Sequence, residues 1–183
     1  MGNEIKNNIK LAAINLFVNN GYDSTSIRDL AKAANCSLPM LYYYYESKSN
    51  LLSEIISDCF IPFINEIYST STVYGNALET VLNIFDRIDK LDGLERAYTI
   101  LAFKVLLGEV RGEEELRKKL IADKNSREFI LKKILFKQWA DDKNIEVKTR
   151  VLFKIMDQTI NDMLLMSKKY NKNVVSAELK LLF

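Results

Sequence analysis

The stretch AANCSLPMLYYYYESKS, residues 33–49, narrows the possible folds more than any other part of the chain. It ends one helical run, turns, and starts another within a few residues. Asn tolerates positive φ best after Gly, so Asn35 suits the elbow between two helices. Cys36 is small enough to plug that elbow. Ser37 is a plausible N-cap, and Pro39 sits in the first turn, where its missing N–H does no harm. A residue before proline avoids the helical region, so Leu38 is the alternative cap. The helix that starts here is short and ends near Tyr45, and Ser47 caps the next one.

The flanking sequence carries the same kind of punctuation. Ile5, Ile9, Ala12, Ala13, Leu16 and Phe17 keep helical spacing over 5–19. Asn20-Gly21 stops that helix, with Gly21 suited to a left-handed position and Tyr22 following as an apolar contact. In DSTSIRDLAKAANCS, Ser26 and Asp29 resemble a capping box, with Thr25 as the alternative cap. A short helix then puts Ile27, Leu30, Ala31 and Ala34 on one side. Two short helices across a tight turn, propped by an N-terminal helix, form a helix-turn-helix.

The tyrosine run follows from that geometry. Successive residues on a helix are about 100° apart, so Tyr42 to Tyr45 fan around the cylinder. Leu41 and Tyr45 share a face and are assigned to the core, with Phe17 and Leu51. Tyr42, Tyr43 and Tyr44 then point outward, where a phenol can bond a phosphate while its ring packs on sugar or a thymine methyl. Lys48 adds a cation at a helix N-terminus, which itself favours phosphate.

Beyond residue 47 the chain reads as helix throughout, since only 6 Gly and 2 Pro interrupt it. A long helix runs from Ser47 to about Tyr68, with a kink or break expected at Pro62. STSTVYGN is a connector, followed by helices near 76–90, 94–110, 113–142 (with a break near 123–126 left open), 147–170 and 174–182. The architecture predicted is all-α: an N-terminal three-helix helix-turn-helix domain (1–47), a linking helix (48–70), and a C-terminal helical bundle (71–183) for ligand binding and dimerisation. Leu152, Met156, Thr159, Met163 and Met166 form a seam on the 147–170 helix, a natural face for a twofold-related copy.

Composition excludes several classes. The early charges Glu4, Lys6 and Lys10 break any signal sequence, and no run reaches the roughly 18 apolar residues of a membrane span. The isolated Cys36 and Cys59 fit a reducing cytoplasm and argue against a disulfide or zinc framework. There is no His, no glycine-rich phosphate loop and no acid-base pair at a recognisable spacing, so an enzyme is disfavoured and neither metal nor cofactor is expected. Net charge is +2, with the acidic block 51–115 (−7) offset by the basic block 116–154 (+7). Those blocks read as solvated helix faces. Glu113 to Glu115 read as favourable charge at a helix start.

The sequence also resembles the DNA-binding region of the TetR family of bacterial transcriptional regulators over about its first 56 residues. The matching motifs are A-x-x-L-F-x-x-x-G-Y (Ala13 to Tyr22), T-S-I-R-D-L-A (Thr25 to Ala31) and L-Y-x-Y-Y-x-S-K-x-x-L-L (Leu41 to Leu52). The resemblance implies that Thr25, Ser26 and Arg28 touch DNA backbone. It places Ser37, Leu38, Pro39, Tyr42 and Tyr43 in the groove, and Tyr44 and Lys48 on phosphates. Asn35-Cys36 replaces a common Gly-Val, and Leu38-Pro39-Met40 replaces a frequent Lys-Gly-Thr type, so the reading face is unusually apolar. Also implied are a homodimer on a near-palindromic double-stranded operator and a small-molecule effector that moves the long helix and releases DNA, as for a repressor. Candidate effector contacts are Phe63, Tyr98, Phe103, Lys104, Trp139 and Met163, with Lys104 the cation for an anionic ligand. The rival reading is a helical interaction module that does not bind DNA.

Overall fold

The computed structural model describes residues 2–71, 76–166 and 168–182, and every regular element in them is helical. They are α1 (Gly2–Asn19), α2 (Ile27–Ala33), α3 (Leu38–Tyr44), α4 (Lys48–Ile55), a π-helical turn (Ile56–Phe60), α5 (Ile61–Ser71), α6 (Ala77–Asp89), α7 (Gly93–Leu106), α8 (Glu114–Gln138), α9 (Ile145–Leu164) and α10 (Lys172–Lys180). Part of the predicted connector, 72–75, lies outside the described residues.

Short helices of this kind do not stand alone, since isolated ones below ~12–15 residues are marginal in water. Here α2 and α3 are held by their caps and by burial. Ser26 and Asp29 make a true capping box, in which the Asp29 N–H donates to Ser26 Oγ at 3.2 Å and the Ser26 N–H to Asp29 Oδ2 at 3.0 Å. Ser37, not Leu38, caps α3, accepting from the Met40 N–H at 3.3 Å. Ser47 accepts from the Asn50 N–H at 3.0 Å and caps α4. Asn35 takes φ 51°, the left-handed conformation its elbow needs, and Gly21 takes φ 88°.

Pro62 leaves its mark upstream. It cannot donate to the Asp58 carbonyl, and the helix widens just before it into the π-helical turn, where the Ile61 N–H reaches Ile56 O. The expected kink is therefore a local change of helical register. By contrast α8 runs unbroken through Asp123 to Ser126, and α9 stops at Leu164, earlier than its apolar pattern suggests.

Residues 1–62 pack with 92–121 as one compact unit, and residues 63–91 with 122–183 as another. Residues 92–121, which the linear reading assigns to the C-terminal domain, thus pack in the first unit, with α7 along α1. The core of the first unit includes Ile9, Ala13, Ile14 and Phe17 of α1, Leu30 and Leu41 of α2 and α3, and Leu51, Leu52 and Ile55 of α4. Full burial of each large aliphatic or aromatic side chain is worth about 1.5–3 kcal/mol. The second unit is centred on Val81, Ile84, Phe85 and Ile88 of α6 and on Leu152, Met156, Ile160 and Met163 of α9.

Candidate nucleic-acid interface

The exposed face of the first unit is built on α3. Tyr45 ends the helix as its C-cap, is only 1% exposed, and donates its phenol to Lys6 O at 3.4 Å. Burial pushes its ionisation well above the usual tyrosine range, aided by Glu54 and Asp58. With Leu41, Tyr45 pins α3 from behind. Tyr42 and Tyr43 stand on the other side at 53% and 81% exposure. Tyr44 is half-buried, its ring meeting Tyr43 edge-on at 5.1 Å. Ser37, Pro39 and Met40 are exposed beside them, and Leu38 is half-buried. The face is therefore aromatic and apolar, with phenol and serine hydroxyls as its polar groups on α3. Ser26 and Arg28 are exposed at the start of α2; the Ser26 hydroxyl donates to Asp29 Oδ2 at 2.5 Å within the capping box, and Arg28 is the nearest Arg charge in the sequence.

Two residues predicted to touch phosphate turn inward. Thr25 is 2% exposed and donates its hydroxyl to Gly21 O at 2.8 Å, so it closes the α1–α2 turn and offers no side-chain donor to solvent. Lys48 donates to Tyr22 O at 2.8 Å and Thr25 O at 3.1 Å, with its ammonium 4.2 Å from the Tyr22 ring centroid. Two of its three N–H bonds are thereby committed to holding the start of α4 against the α1–α2 turn. The reason is tertiary: the carbonyls that attract the ammonium lie 26 and 23 residues upstream.

Sequence reasoning also missed Glu113. Its carboxylate, one residue before α8 begins, is buried at 6% exposure and serves more than the helix start. One oxygen accepts the Tyr22 phenol in a short hydrogen bond, and the other accepts the Ser49 hydroxyl at 2.8 Å. Burial first, then this bond, raise the Tyr22 phenol far above its ordinary pKa. The partners lie 91 and 64 positions away, so no local pattern signals the cluster.

A capped α2, an Asn elbow and a buried frame behind an exposed α3 are the geometry of a helix-turn-helix. Residues 9–55 match the profile described as "Bacterial regulatory proteins, tetR family". That segment of the chain thus matches the DNA-binding region of the TetR family. The biofilm-operon icaADBC negative transcriptional regulator IcaR of Staphylococcus epidermidis is 30% identical over 86 residues, 43% of this chain and 46% of IcaR. The chain thus spans about half the length of that relative. Two solved structures share the fold over nearly the whole chain. FadR of Bacillus subtilis, solved with stearoyl-CoA, superposes with a TM-score of 0.68 at 20% identity, over 96% of both chains. A TetR-family regulator of Bordetella parapertussis gives 0.69 at 20% identity, over 98% of this chain and 94% of that one.

TetR-family regulators are recognised by this domain, and the rest of the chain has to be read from its own structure. Of the predicted effector contacts, Tyr98, Phe103 and Lys104 lie in the first unit, and Phe63, Trp139 and Met163 in the second. Tyr98, Trp139 and Met163 are buried and the other three half-buried. A groove of about 630 Å³ in the second unit is lined by Met163 with Val151, Ile155, Val174, Lys154 and Lys169, among others, and by none of the remaining five. At the groove Tyr170 rests edge-on against Phe85, and its hydroxyl is buried without a partner, its pKa pushed up to about 12 mainly by burial.

The predicted dimer seam needs correction. Leu152, Met156 and Met163 are buried within their own unit, and Thr159 is half-buried, because the 4, 3 spacing of the seam faces the α6 core. Met166 alone of the five is exposed, and it lies beyond the end of α9. The apolar side chains left uncovered include instead Ile121, Phe129, Ile130 and Phe136 of α8 and Val147 and Val151 of α9. Phe136 and Val147 line one shared groove of about 630 Å³. Among the described residues no helix is long and apolar enough to cross a membrane, and no group of three or more His, Cys, Asp or Glu could hold a metal.

Proposed function

We propose that the protein is a ligand-responsive transcriptional repressor that binds a near-palindromic operator as a homodimer and is released by a small molecule. The observation that carries this reading is the divided helix α3: Tyr45 buried behind, Tyr42 and Tyr43 exposed in front, with Ser37, Pro39 and Met40 beside them. Such a face suits a major groove. Its rings and Met40 can lie on thymine methyls and sugars, and its hydroxyls can reach phosphates or base edges. Arg28 and Ser26 are placed to meet backbone, and Tyr44 and the remaining N–H of Lys48 contribute at the margin. With a charge of only +1 over residues 1–50, affinity rests on few phosphate contacts, so its dependence on salt is shallow.

The negative role of IcaR favours repression over activation. The uncovered apolar residues of α8 and α9 favour a second copy of this chain as partner. The effector is an amphiphile with an anionic head: the Met163 groove offers aliphatic walls beside Lys154 and Lys169, and stearoyl-CoA, the ligand solved with Bacillus subtilis FadR, is a suitable first probe.

Selection from a random duplex pool, followed by band shifts, tests the reading. The wild-type chain should enrich a near-palindrome and bind it selectively, while the Tyr42→Ala/Tyr43→Ala variant should keep its fold and lose that selectivity. A chain that enriches no sequence is an interaction module, and selectivity surviving the double change would move the reading head away from α3.

A further inference from the structure

Glu113 ties the DNA-reading frame together from outside the segment that matches the family profile. Its carboxylate joins two places that α3 depends on. Through Tyr22 it holds the turn that enters α2, and through Ser49 it holds the first turn of α4. Since α3 lies between α2 and α4, its direction is set at both ends by what this carboxylate grips.

Tyr22 is locked on every side. Its hydroxyl is on Glu113, its ring meets Phe17 edge-on at 5.0 Å, and the Lys48 ammonium lies 4.2 Å from its centroid. Lys48 in turn bonds the carbonyls of Tyr22 and Thr25. Both bonds are charge-assisted and directional, so displacing the carboxylate by an ångström orphans the buried Tyr22 phenol and hands the exposed Ser49 hydroxyl to water.

The turn before Glu113 is built to present it. Gly108 and Gly112 take φ of 78° and 75°, conformations that side chains rarely adopt. The Arg117 guanidinium packs 3.5 Å from where a Cβ on Gly108 would sit, while its Nε donates to Leu106 O at 2.8 Å. Glu113 O accepts the Arg117 N–H at 2.9 Å, so the residue is also the N-cap of α8, the longest helix. A shift at the start of α8 therefore moves the carboxylate with it.

We infer that Glu113 is a positioning residue for DNA recognition, a buried clasp through which the start of α8 sets the orientation of α3. The inference rests on the DNA-binding reading above. Glu113 touches no DNA; it acts through Tyr22 and Ser49.

The experiment compares Glu113→Ala, Glu113→Gln and wild type on the operator selected by the wild-type chain, measuring selective and non-selective affinity together with urea unfolding. Glu113→Ala should lose about tenfold or more in selective affinity and leave non-selective binding near the wild-type value. Glu113→Gln keeps one acceptor and gains one donor, and should recover most of the loss. In a Tyr42→Ala/Tyr43→Ala background, Glu113→Ala should cost no further selectivity, because the contacts it orients are gone.

If Glu113→Ala weakens selective and non-selective binding in parallel with its loss of stability, the residue is only structural and the inference is overturned. Unchanged selectivity overturns it too. If Glu113→Ala fails to fold, the triple variant Glu113→Leu/Tyr22→Phe/Ser49→Ala, which leaves no orphaned polar group, carries the same comparison. A wild-type chain that selects no operator would instead sink the DNA-binding reading itself.

Discussion

The α3 face and the α8–α9 face both expose large apolar side chains, yet they differ in chemistry. On α3 the exposed rings are tyrosines on a seven-residue helix, capped by Ser37 and held from behind by Tyr45 and Leu41. Each ring carries a hydroxyl, so the surface satisfies a polar partner as well as an apolar one. On α8 and α9 the exposed apolar groups include Phe129, Ile130, Phe136, Val147 and Val151, with no polar tip. Charged side chains flank them, Lys133 over Phe129 at 4.7 Å and Glu128, Lys132, Glu146 and Arg150 around the groove of Phe136 and Val147. The uncovered groups there are hydrocarbon set among charges of both signs, and the proposed partner for them is a second copy of the chain. Exposure alone does not say what a surface binds; the polar atoms carried by its side chains do.

The sharpest way to break this contrast is to change two tyrosines two residues apart. Tyr45→Ala empties a buried ring and should cost about 3–5 kcal/mol of unfolding free energy in urea. Tyr43→Ala should change stability by no more than about 0.5 kcal/mol and show its effect in operator binding. Equal effects on stability would mean that α3 has no front and back.

A smaller effect tests the other face. Phe136→Glu should leave helix content intact and weaken self-association by about 2 kcal/mol, read as a shift towards monomer in sedimentation equilibrium. Unaltered association would place the dimer contact elsewhere.

The smallest effect sharpens the first face. Asp29 is held below its ordinary carboxylate pKa of 3.8, chiefly by the Ser26 hydroxyl and then by the Ser26 backbone N–H. A depressed folded pKa gives stability that is present above 3.8 and lost as pH falls through the lower folded value. Thermal midpoints followed from pH 5 downward should therefore decline, and Asp29→Asn should flatten the acid limb. An identical decline in that variant would assign it to other carboxylates.

How much of this could be read from the chain depends on how far apart the interacting groups lie. Ser26 with Asp29, Asn35, Ser37, Ser47 and the inward Tyr45 were all legible, because caps, left-handed turns and helical faces are decided within about four residues. Lys48 illustrates the limit: a lysine at a helix start suggests phosphate, and only the folded α1–α2 turn supplies the carbonyls that draw it inward. The seam on α9 failed for a related reason. Periodicity shows that Leu152, Met156 and Met163 share a face, but not whether α6 or a second copy covers it.

The sequence by itself determined the helices, their caps and elbow, and the division of the tyrosine run, since each follows from backbone geometry and neighbouring side chains. Only the tertiary structure decided that Lys48 turns inward, that residues 92–121 pack with α1 to α4, and that Glu113 grips Tyr22 and Ser49. Those choices depend on groups dozens of residues apart meeting in the folded chain, where leaving the buried Tyr22 phenol or Glu113 carboxylate unpaired would be costly.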